Sequence, residues 1–384
     1  MRSVYVDHAA TTPVAPVAAE AVMKVLQTNF GNPSSIHSHG REARKELDRA
    51  RRTLASTIGA EAEELVLTSS GTEADNLAIT GYVKAHKNKG THIITTAVEH
   101  HAVLHTCEKL EKEGFQVTYL PVDQQGRVTA EQVKEAVTDD TILITIMHGN
   151  NEVGTLQPIK EIAETAALEG IAFHTDAVQS YGLEDIDITA VPVTMLTASS
   201  HKINGPKGAA FLYVKKGTSL IPSLTGGEQE RKRRAGTENV PAAAGFSAAA
   251  ESAMAQKSSR YEHYQALREH FVTCLQNEGV SFKINGPGDE KLKLPHIVNI
   301  FFPGIQVESF LVQLDLAAIS ASSGSACTAG SVEPSHVLEA MYPGQERANA
   351  SVRFSFGREN TLEEMEYMAG EIKKIIDRMS AAVL

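Results

Sequence analysis

Lys202 is the residue whose setting most clearly invites covalent chemistry. It follows the apolar run VTML at 193–196 and precedes the glycine-containing stretch INGPKG at 203–208. A lysine at the end of a buried strand loses part of its hydration, which lowers the pKa of the amine and frees it to form a Schiff base. The alternative is an ordinary lysine in contact with water.

Asp176 ends the apolar segment IAFHTDA at 171–177, and Gln179 follows three residues later. A carboxylate in this position has two readings. It can cap the next helix, or it can pair with a protonated pyridine nitrogen and make an aromatic ring an electron sink.

Ser70, Gly71 and Thr72 lie between an apolar strand and a helix that we expect to begin near Thr72 or Glu73. The free N–H groups at a helix start, together with the two hydroxyls, suit a phosphate. A capped turn that binds nothing has the same sequence pattern.

Three histidines follow the apolar run HIITT at 92–96: His100, His101 and His105. The spacing of the last two invites a metal site, but no third ligand at suitable spacing and no HExxH glutamate accompany them. We therefore reject a metal here and expect a ring lying over a flat cofactor, or an acid–base group beside it.

The chain has three cysteines, and they have different surroundings. Cys107 and Cys274 lie in apolar helical patterns, where cysteines are usually inert. Cys327 lies in SSGSACTAGS at 322–331, which has two glycines and no hydrophobic anchor and so predicts a surface loop. Its thiol is either incidental or a nucleophile that needs a base or a positive charge nearby.

Arg353 and a basic run also need interpretation. Arg353 belongs to SVRFSFG at 351–357, read as a strand with Val352, Phe354 and Phe356 spread over both faces. The arginine either lies at the edge of the sheet or binds a carboxylate with two hydrogen bonds.

The basic run RKRR at 231–234 is either a solvated loop or a loop that reaches a phosphate or a partner protein.

The elements that must position these residues predict an α/β fold. Short apolar runs alternate with turns and helical patterns, which indicates a mainly parallel sheet covered by helices on both faces. Polar residues directly after the strands then meet in one crevice. After residue 255 long amphipathic helices and short strands predict a smaller α+β domain, so we divide the chain into 13–255, and 1–12 with 256–384.

The bulk composition narrows the function classes. The 384 residues carry a formal net charge of −11, which disfavours nucleic acid and acidic membranes as partners. Asp7 and His8 interrupt the start, no run is long enough to span a membrane, and three cysteines without a CxxC pair suit a reducing compartment. We expect a cytoplasmic enzyme.

Ten segments together resemble the cysteine desulfurases of the class V aminotransferase group, in the order expected for that family. The loop around Cys327 resembles the NifS- and IscS-like subgroup. The segments are DHAATTP at 7–13, FGNPSSIHSHGR at 30–41, TSSGTEADNLA at 68–78, EHHAV at 99–103, NNEVGT at 150–155, HTDAVQ at 174–179, SSHKINGPKG at 199–208, RAGTEN at 234–239, SSGSACTAG at 322–330 and RFSFG at 353–357.

The resemblance implies a fold-type I pyridoxal-phosphate transferase that acts as a homodimer. Catalysis would fall to Lys202, which holds the cofactor covalently, to His100 stacked over its ring, and to Cys327, which takes sulfur from L-cysteine as a persulfide. Asp176 would bind the ring nitrogen. The remaining implied contacts are Asn151 and Gln179 at the ring oxygen, Gly71, Thr72, Ser199 and His201 at the phosphate, Thr237 from the second subunit, and Arg353 and Asn32 at the substrate carboxylate.

Two segments depart from the usual family sequence, and two other functions remain alternatives to a cysteine desulfurase. SSGTE and ASSHK differ from the commonest family wording, but both keep the hydroxyl or the lysine. Another class V pyridoxal enzyme, such as an aminotransferase or a selenocysteine lyase, is the nearest rival. An RNA-binding protein that uses the basic run is the rival from another class. No motif identifies the sulfur acceptor, so an iron–sulfur scaffold, a tRNA-thiolation enzyme and the thiamine or molybdenum-cofactor pathways all stay open.

Overall fold

The computed structural model describes residues 3–324 and 334–381, which form one large sheet, two small sheets and flanking helices. The strands are β1 Val4–Tyr5, β2 Leu65–Thr68, β3 His92–Thr96, β4 Gln116–Leu120, β5 Thr141–Thr145, β6 Ala172–Asp176, β7 Met195–Ser199, β8 Ala210–Val214, β9 Lys283–Asn285, β10 Ile297–Phe301, β11 Ile319–Ser320 and β12 Ser351–Ser355. The α-helices are α1 Pro16–Thr28, α2 Ser38–Ser56, α3 Gly71–Ala85, α4 His101–Lys112, α5 Ala130–Glu135, α6 Ile159–Leu168, α7 Val240–Ala255, α8 Lys257–Asn277, α9 Val307–Leu316, α10 His336–Met341 and α11 Leu362–Ala381.

The large sheet has seven strands in the order β2-β8-β7-β6-β5-β3-β4. Strands β3 to β7 pair in parallel, and β8 runs antiparallel to both of its neighbours. The five inner strands are buried along their whole length, as expected when helices cover both faces of a sheet. The predicted mainly parallel α/β fold is confirmed.

The smaller region is built on β10, which pairs antiparallel with β9 and β12. Its core combines side chains of α8, α11 and these strands with Val4 and Val6 from the start of the chain. The separate clustering of this core agrees with the proposed domain division, which remains a prediction.

The expected placement of the β12 side chains was wrong. Val352, Phe354 and Phe356 all belong to the same apolar core, because alternate residues of a strand share one face. Arg353 therefore lies on the opposite face, where it is 2% exposed and turned toward the large sheet.

Among the described residues, none of the helices combines the length and the apolar character that crossing a bilayer requires.

Candidate active site

A cavity of about 320 Å³ lies where the carboxyl ends of the inner strands face the smaller region. This is the place where ligands bind in open α/β sheets. Most of the predicted site residues line it: Gly71, Thr72, His100, Asn151, Asp176, Gln179, Ser199, His201, Lys202 and Arg353.

Lys202 ends a single 3-10 turn, Ser200–Lys202, that directly follows β7. Its Nζ donates hydrogen bonds to the carbonyl oxygens of Ala9 (2.5 Å) and Ala10 (2.8 Å). The side chain is only half-buried, but the two carbonyls hold the amine at the cavity. The first residues of the chain thus help to position the candidate nucleophile.

Asp176, the last residue of β6, is 7% exposed at the floor of the cavity. One oxygen accepts a hydrogen bond from the Val178 N–H at 2.8 Å. Burial raises the pKa of Asp176 to about 6, opposed by that N–H group and by Lys202. A cation that entered the cavity would lower this pKa again, because it would favour the charged carboxylate.

The start of α3 fits a phosphate. Ser70 is the N-cap, its hydroxyl accepts from the Glu73 N–H, and Gly71 opens the helix, one residue earlier than expected. A Cβ atom on Gly71 would lie 3.0 Å from Val178 Cγ2, so glycine keeps space open beside the cavity. The remaining free N–H groups of the first turn are available to an anion.

His100 is the N-cap of α4, and its Nδ1 accepts a hydrogen bond from the Ala102 N–H. Burial and the nearby Lys202 lower its pKa to about 4. The ring is therefore neutral at physiological pH, with Nε2 carrying the proton. Such a ring can lie over an aromatic cofactor or exchange a proton beside it.

His101 stacks between His105 and His336, with ring centroids 4.8 and 4.7 Å away. His336 lines the cavity and was missed at the sequence level because it lies more than 200 residues away along the chain. Even with this third ring, no group of three or more potential ligands within 3–324 and 334–381 is arranged for a metal ion.

Arg353 is held by several groups of the protein. Nη1 donates to the Asn151 carbonyl, and Nη2 donates to Asp7 Oδ1 and Ser322 Oγ, all at 2.8 Å. Its buried Nε forms no hydrogen bond with the described residues. A substrate carboxylate would have to compete with Asp7 for Nη2, because Nε has almost no accessible surface.

Two predicted site residues do not line the cavity, and a third lies outside the described residues. Thr237 is exposed and lines a separate cavity beside Ser69 and Arg234. Asn32 is exposed, and its Oδ1 accepts from the Ser34 N–H at 2.9 Å. Cys327 lies outside the described residues.

The basic run is largely neutralised by local ion pairs. Arg231 pairs with Glu63, Lys232 with Glu228 and Arg234 with Glu73. These contacts fit the solvated-loop interpretation for the first two residues, whereas Arg234 shares a cavity with Thr237.

The two helical cysteines have the settings expected of inert thiols. Cys107 is fully buried in the core, and burial raises the pKa of its thiol. Cys274 packs against the smaller core, and its pKa is also raised by burial. Neither of them lines the main cavity.

Two further buried carboxyl groups lie in the cavity wall: Glu152, which follows a predicted strand and was expected at this crevice, and Asp75, which was missed. Glu152 accepts a hydrogen bond from Ser335, which caps α10. Asp75 lies one turn into α3 and is 1% exposed. Glu152 belongs to the NNEVGT motif. The position of Asp75 could have been predicted, because it is four residues from Gly71 and so lies on the same face of the helix.

The donor set fits pyridoxal phosphate. The cavity offers an amine at Lys202, a carboxyl group at Asp176, a histidine ring at His100 and a free helix start at Gly71. These match, in turn, the aldehyde, the ring nitrogen, the ring face and the phosphate of that cofactor. The buried Asp176 with its raised pKa is a group that a cationic ring nitrogen would stabilise.

Comparison with known proteins gives the same assignment. The family model for class V aminotransferases matches residues 4–368. A putative cysteine desulfurase, IscS 1, of Bacillus subtilis is 53% identical over 99% of this chain and 100% of its own length. Among solved structures, a NifS-like protein superposes with a TM-score of 0.91 at 34% identity, covering 98% of this chain and all of its own.

A solved structure described as SspA in complex with cysteine has a TM-score of 0.81 at 36% identity, and the match covers 92% of this chain and 99% of that one. The cysteine desulfurase IscS of Dictyoglomus turgidum is 44% identical over 98% of this chain and 95% of its own length. The chain belongs to the NifS- and IscS-like cysteine desulfurases, pyridoxal-phosphate enzymes of the class V aminotransferase family.

Proposed function

We propose that the enzyme takes sulfur from L-cysteine at the described cavity and passes it through Cys327 to an acceptor protein. The observation that carries this proposal is the convergence of Lys202, Asp176, His100 and Arg353 on one cavity. In it Lys202 would hold pyridoxal phosphate covalently, Asp176 would pair with the ring nitrogen and His100 would contact the ring. Asn151 and Gln179 hold the ring oxygen, and Gly71, Thr72, Ser199 and His201 hold the phosphate.

The substrate is bound through its carboxylate by Arg353, using the Nη2 nitrogen that now binds Asp7. Asn32, which is exposed in the single chain, is assigned to the same carboxylate. When bound, pyridoxal phosphate supplies an electron sink for the charge that develops at the substrate Cα. Once the substrate amine has displaced Lys202 from its covalent bond, the released Lys202 amine would accept the Cα proton, and His100 is placed to exchange a second proton.

Sulfur transfer needs a nucleophile that the described residues do not supply, because Cys107 is buried in the core and Cys274 lies away from the cavity. We assign this step to Cys327. Its thiolate attacks the substrate sulfur, the Cβ–S bond breaks, and its electron pair stays with the carbon skeleton, which is protonated and leaves as alanine. Cys327 keeps the sulfur as a persulfide, so cysteine and a thiol become alanine and a persulfide.

The persulfide then serves an acceptor protein in iron–sulfur cluster assembly or tRNA thiolation. A persulfide carries sulfur in a form that another thiol can attack, so no further cofactor is needed for the transfer. The free thiols of the chain suit a cytoplasmic location. Trapping the acceptor as a mixed disulfide with Cys327 would distinguish the two pathways.

The active unit in this proposal is a homodimer. Thr237 lies away from the cavity of its own chain, as it must if it serves the second subunit. Residues 14–36 also carry six exposed apolar side chains, which a second copy of the chain would cover. They are Val14, Val17, Met23, Leu26, Phe30 and Ile36.

A mixed-dimer experiment tests the role of Thr237. Lys202→Ala and Thr237→Ala chains should each bind the cofactor poorly. If Thr237 serves the partner, a mixed dimer has one cavity with both defects and one intact cavity. Mixing should then restore tight cofactor binding in up to half of the sites of that dimer. No restoration in a verified mixed dimer would place Thr237 in its own subunit.

The Cys327→Ala variant tests the central step. It should retain the cofactor and bind cysteine, yet carry no added sulfur by mass spectrometry, while the matched Cys274→Ala variant forms the persulfide normally. Full sulfide release by Cys327→Ala would show that this thiol is dispensable. Turnover of cysteine, selenocysteine and a keto acid, compared on the wild type, separates the desulfurase from its two class V rivals.

A further inference from the structure

Asp75 is a buried carboxyl group of the cavity wall, and the proposed reaction assigns it no role. It lies on α3, which packs against β5, β6 and β7, and it is 1% exposed. The residue lines the same cavity as Asp176 and Lys202. Its Oδ1 forms no hydrogen bond with the described residues.

The surroundings of Asp75 form a chain of polar groups across the sheet. The Thr197 hydroxyl donates to Asp75, and Thr197 Oγ1 lies 3.1 Å from His174 Nε2. On its other side the imidazole contacts the hydroxyl of Thr145, with 2.9 Å between Nδ1 and Oγ1. His174 Nε2 lies 3.6 Å from Asp75 Oδ1.

No lysine or arginine within the described ranges forms an ion pair with Asp75, and its one partner of that kind is His174. Both groups are essentially inaccessible to water. Burial lowers the pKa of His174 to about 3, and burial, together with Asp176 and Glu99, raises the pKa of Asp75. The pair is therefore neutral, with the proton on the carboxyl group.

The other charged groups around the cavity lead to the same conclusion. Asp176 and Glu99 add two further buried carboxyl groups, and Lys202 is the nearby amine. The ring nitrogen of the cofactor brings one positive charge, which one carboxylate suffices to balance. A second carboxylate at Asp75 would be a buried charge without a partner, which is costly.

We propose that Asp75 is a positioning residue of the cofactor site: it stays a neutral carboxylic acid beside Asp176, so that Asp176 alone presents a negative charge to the ring nitrogen. This inference rests on the proposed role of Asp176. Because Asp75 lines the cavity, its neutral carboxyl group forms part of the wall against which the cofactor would lie.

Three variants test the proposal: Asp75→Asn, Asp75→Ala and, as the reference for loss of the charge, Asp176→Asn. Two quantities are measured on each, the Kd of the apoprotein for pyridoxal phosphate and the pH profile of the absorption band of the bound cofactor. Asparagine has the shape of the neutral acid and keeps a donor. It should leave the Kd within about twofold and the profile unchanged.

Asp75→Ala removes the polar group and leaves a gap, so it should weaken cofactor binding about tenfold. Asp176→Asn should shift the absorption profile strongly. A shift of one pH unit or more in Asp75→Asn would overturn the proposal, because it would mean that Asp75 carries a charge. Wild-type values for Asp75→Ala would overturn it as well, because Asp75 would then have no role.

Two further comparisons separate a failure of the Asp176 role, or of folding, from a failure of the proposal for Asp75. If Asp176→Asn changes neither quantity, the proposed role of Asp176 fails, independently of Asp75. If an Asp75 variant does not fold, Thr197→Val replaces it, since this change removes the hydroxyl that donates to Asp75 and leaves the acid in place. Thr197→Val should keep the absorption profile, and a shift of one pH unit would contradict a neutral Asp75.

Discussion

The two walls of the cavity differ in how far the protein satisfies its own polar groups. The wall formed by the large sheet holds Asp176 with a raised pKa and Asp75 with an unbonded oxygen. The opposite wall holds Arg353, whose two terminal nitrogens already bind Asp7, Ser322 and the Asn151 carbonyl. The sheet wall thus has a buried carboxyl group, Asp75, without a lysine or arginine partner among the described residues, whereas Asp7 already supplies Arg353 with an opposite charge.

This difference matches the lifetimes of the two bound groups in the proposed function. A cofactor that stays bound can complete the buried polar groups permanently, so the sheet wall need not be satisfied without it. A substrate arrives and leaves in every cycle, and a bare buried guanidinium would be costly in between. Asp7 can serve as the internal partner of Arg353 while the substrate is absent.

The largest effect should come from Lys202→Ala, which removes the amine that the sheet wall presents. We expect the cofactor to be no longer fixed to the protein by borohydride and the desulfurase rate to fall by about 10³-fold or more. The matched control is Lys207→Ala, an exposed lysine of the same motif, which should keep both properties. An unchanged borohydride-fixed adduct in Lys202→Ala would refute the role of Lys202.

The next effect concerns stability without cofactor. The pKa of Asp176 is about 6 in the folded protein, against an ordinary value of 3.8 for an aspartate in water. Its ionisation therefore opposes folding, and the stabilisation present at low pH is lost as the pH rises through 6. Apo Asp176→Asn should be more stable than the apo wild type by about 2–3 kcal/mol at pH 8 and by nearly nothing at pH 3.5. Urea unfolding at both pH values measures this, and a pH-independent difference would contradict it.

On the opposite wall Arg353→Lys should raise the KM for cysteine about tenfold, because a lysine cannot reproduce the planar fork. The absorption of the bound cofactor should stay as in the wild type, since Arg353 belongs to the wall opposite the groups proposed to contact the cofactor ring. Steady-state kinetics and an absorption spectrum are sufficient. A lost cofactor band with an unchanged KM would mean that the two walls are not separate in function.

The smallest effect is expected for Asp7→Asn, which keeps an oxygen acceptor for Arg353 but removes the competing charge. The KM for cysteine should fall about threefold, and the free energy of unfolding should drop by about 1 kcal/mol. Kinetics and denaturant titration are measured on the same preparation. A raised KM would show that Asp7 helps the substrate to bind.

Much of the large-sheet wall could be predicted from the sequence because strand ends gather at one edge of a parallel sheet. Lys202 and Asp176 each follow an apolar strand, so their meeting in one cavity required only the order of elements. The alternation of the β12 side chains was open to the same reasoning but was misread. Alternation along the strand, applied correctly, would have placed Arg353 on the face opposite the apolar core.

Other parts of the site could not be derived in this way. The contacts of Arg353 with Asp7 and of His336 with His101 join residues more than 200 positions apart, and no local pattern encodes them. The placement of Thr237 depends on a surface between two chains. Asp75 is buried by the strands beneath it, although an aspartate near a helix start usually suggests only a favourable helix charge.

The segment around Ala9 imposes an order on assembly. The carbonyls of Ala9 and Ala10 hold the amine of Lys202, while the N–H of Ala9 is bound by the hydroxyl of Ser355. Lys202 emerges from the ribosome about 190 residues after Ala9, and Ser355 emerges about 350 residues after it. A nascent chain therefore completes the contacts that hold Ala9, and through it the amine of Lys202, only when almost the whole polypeptide has been synthesised.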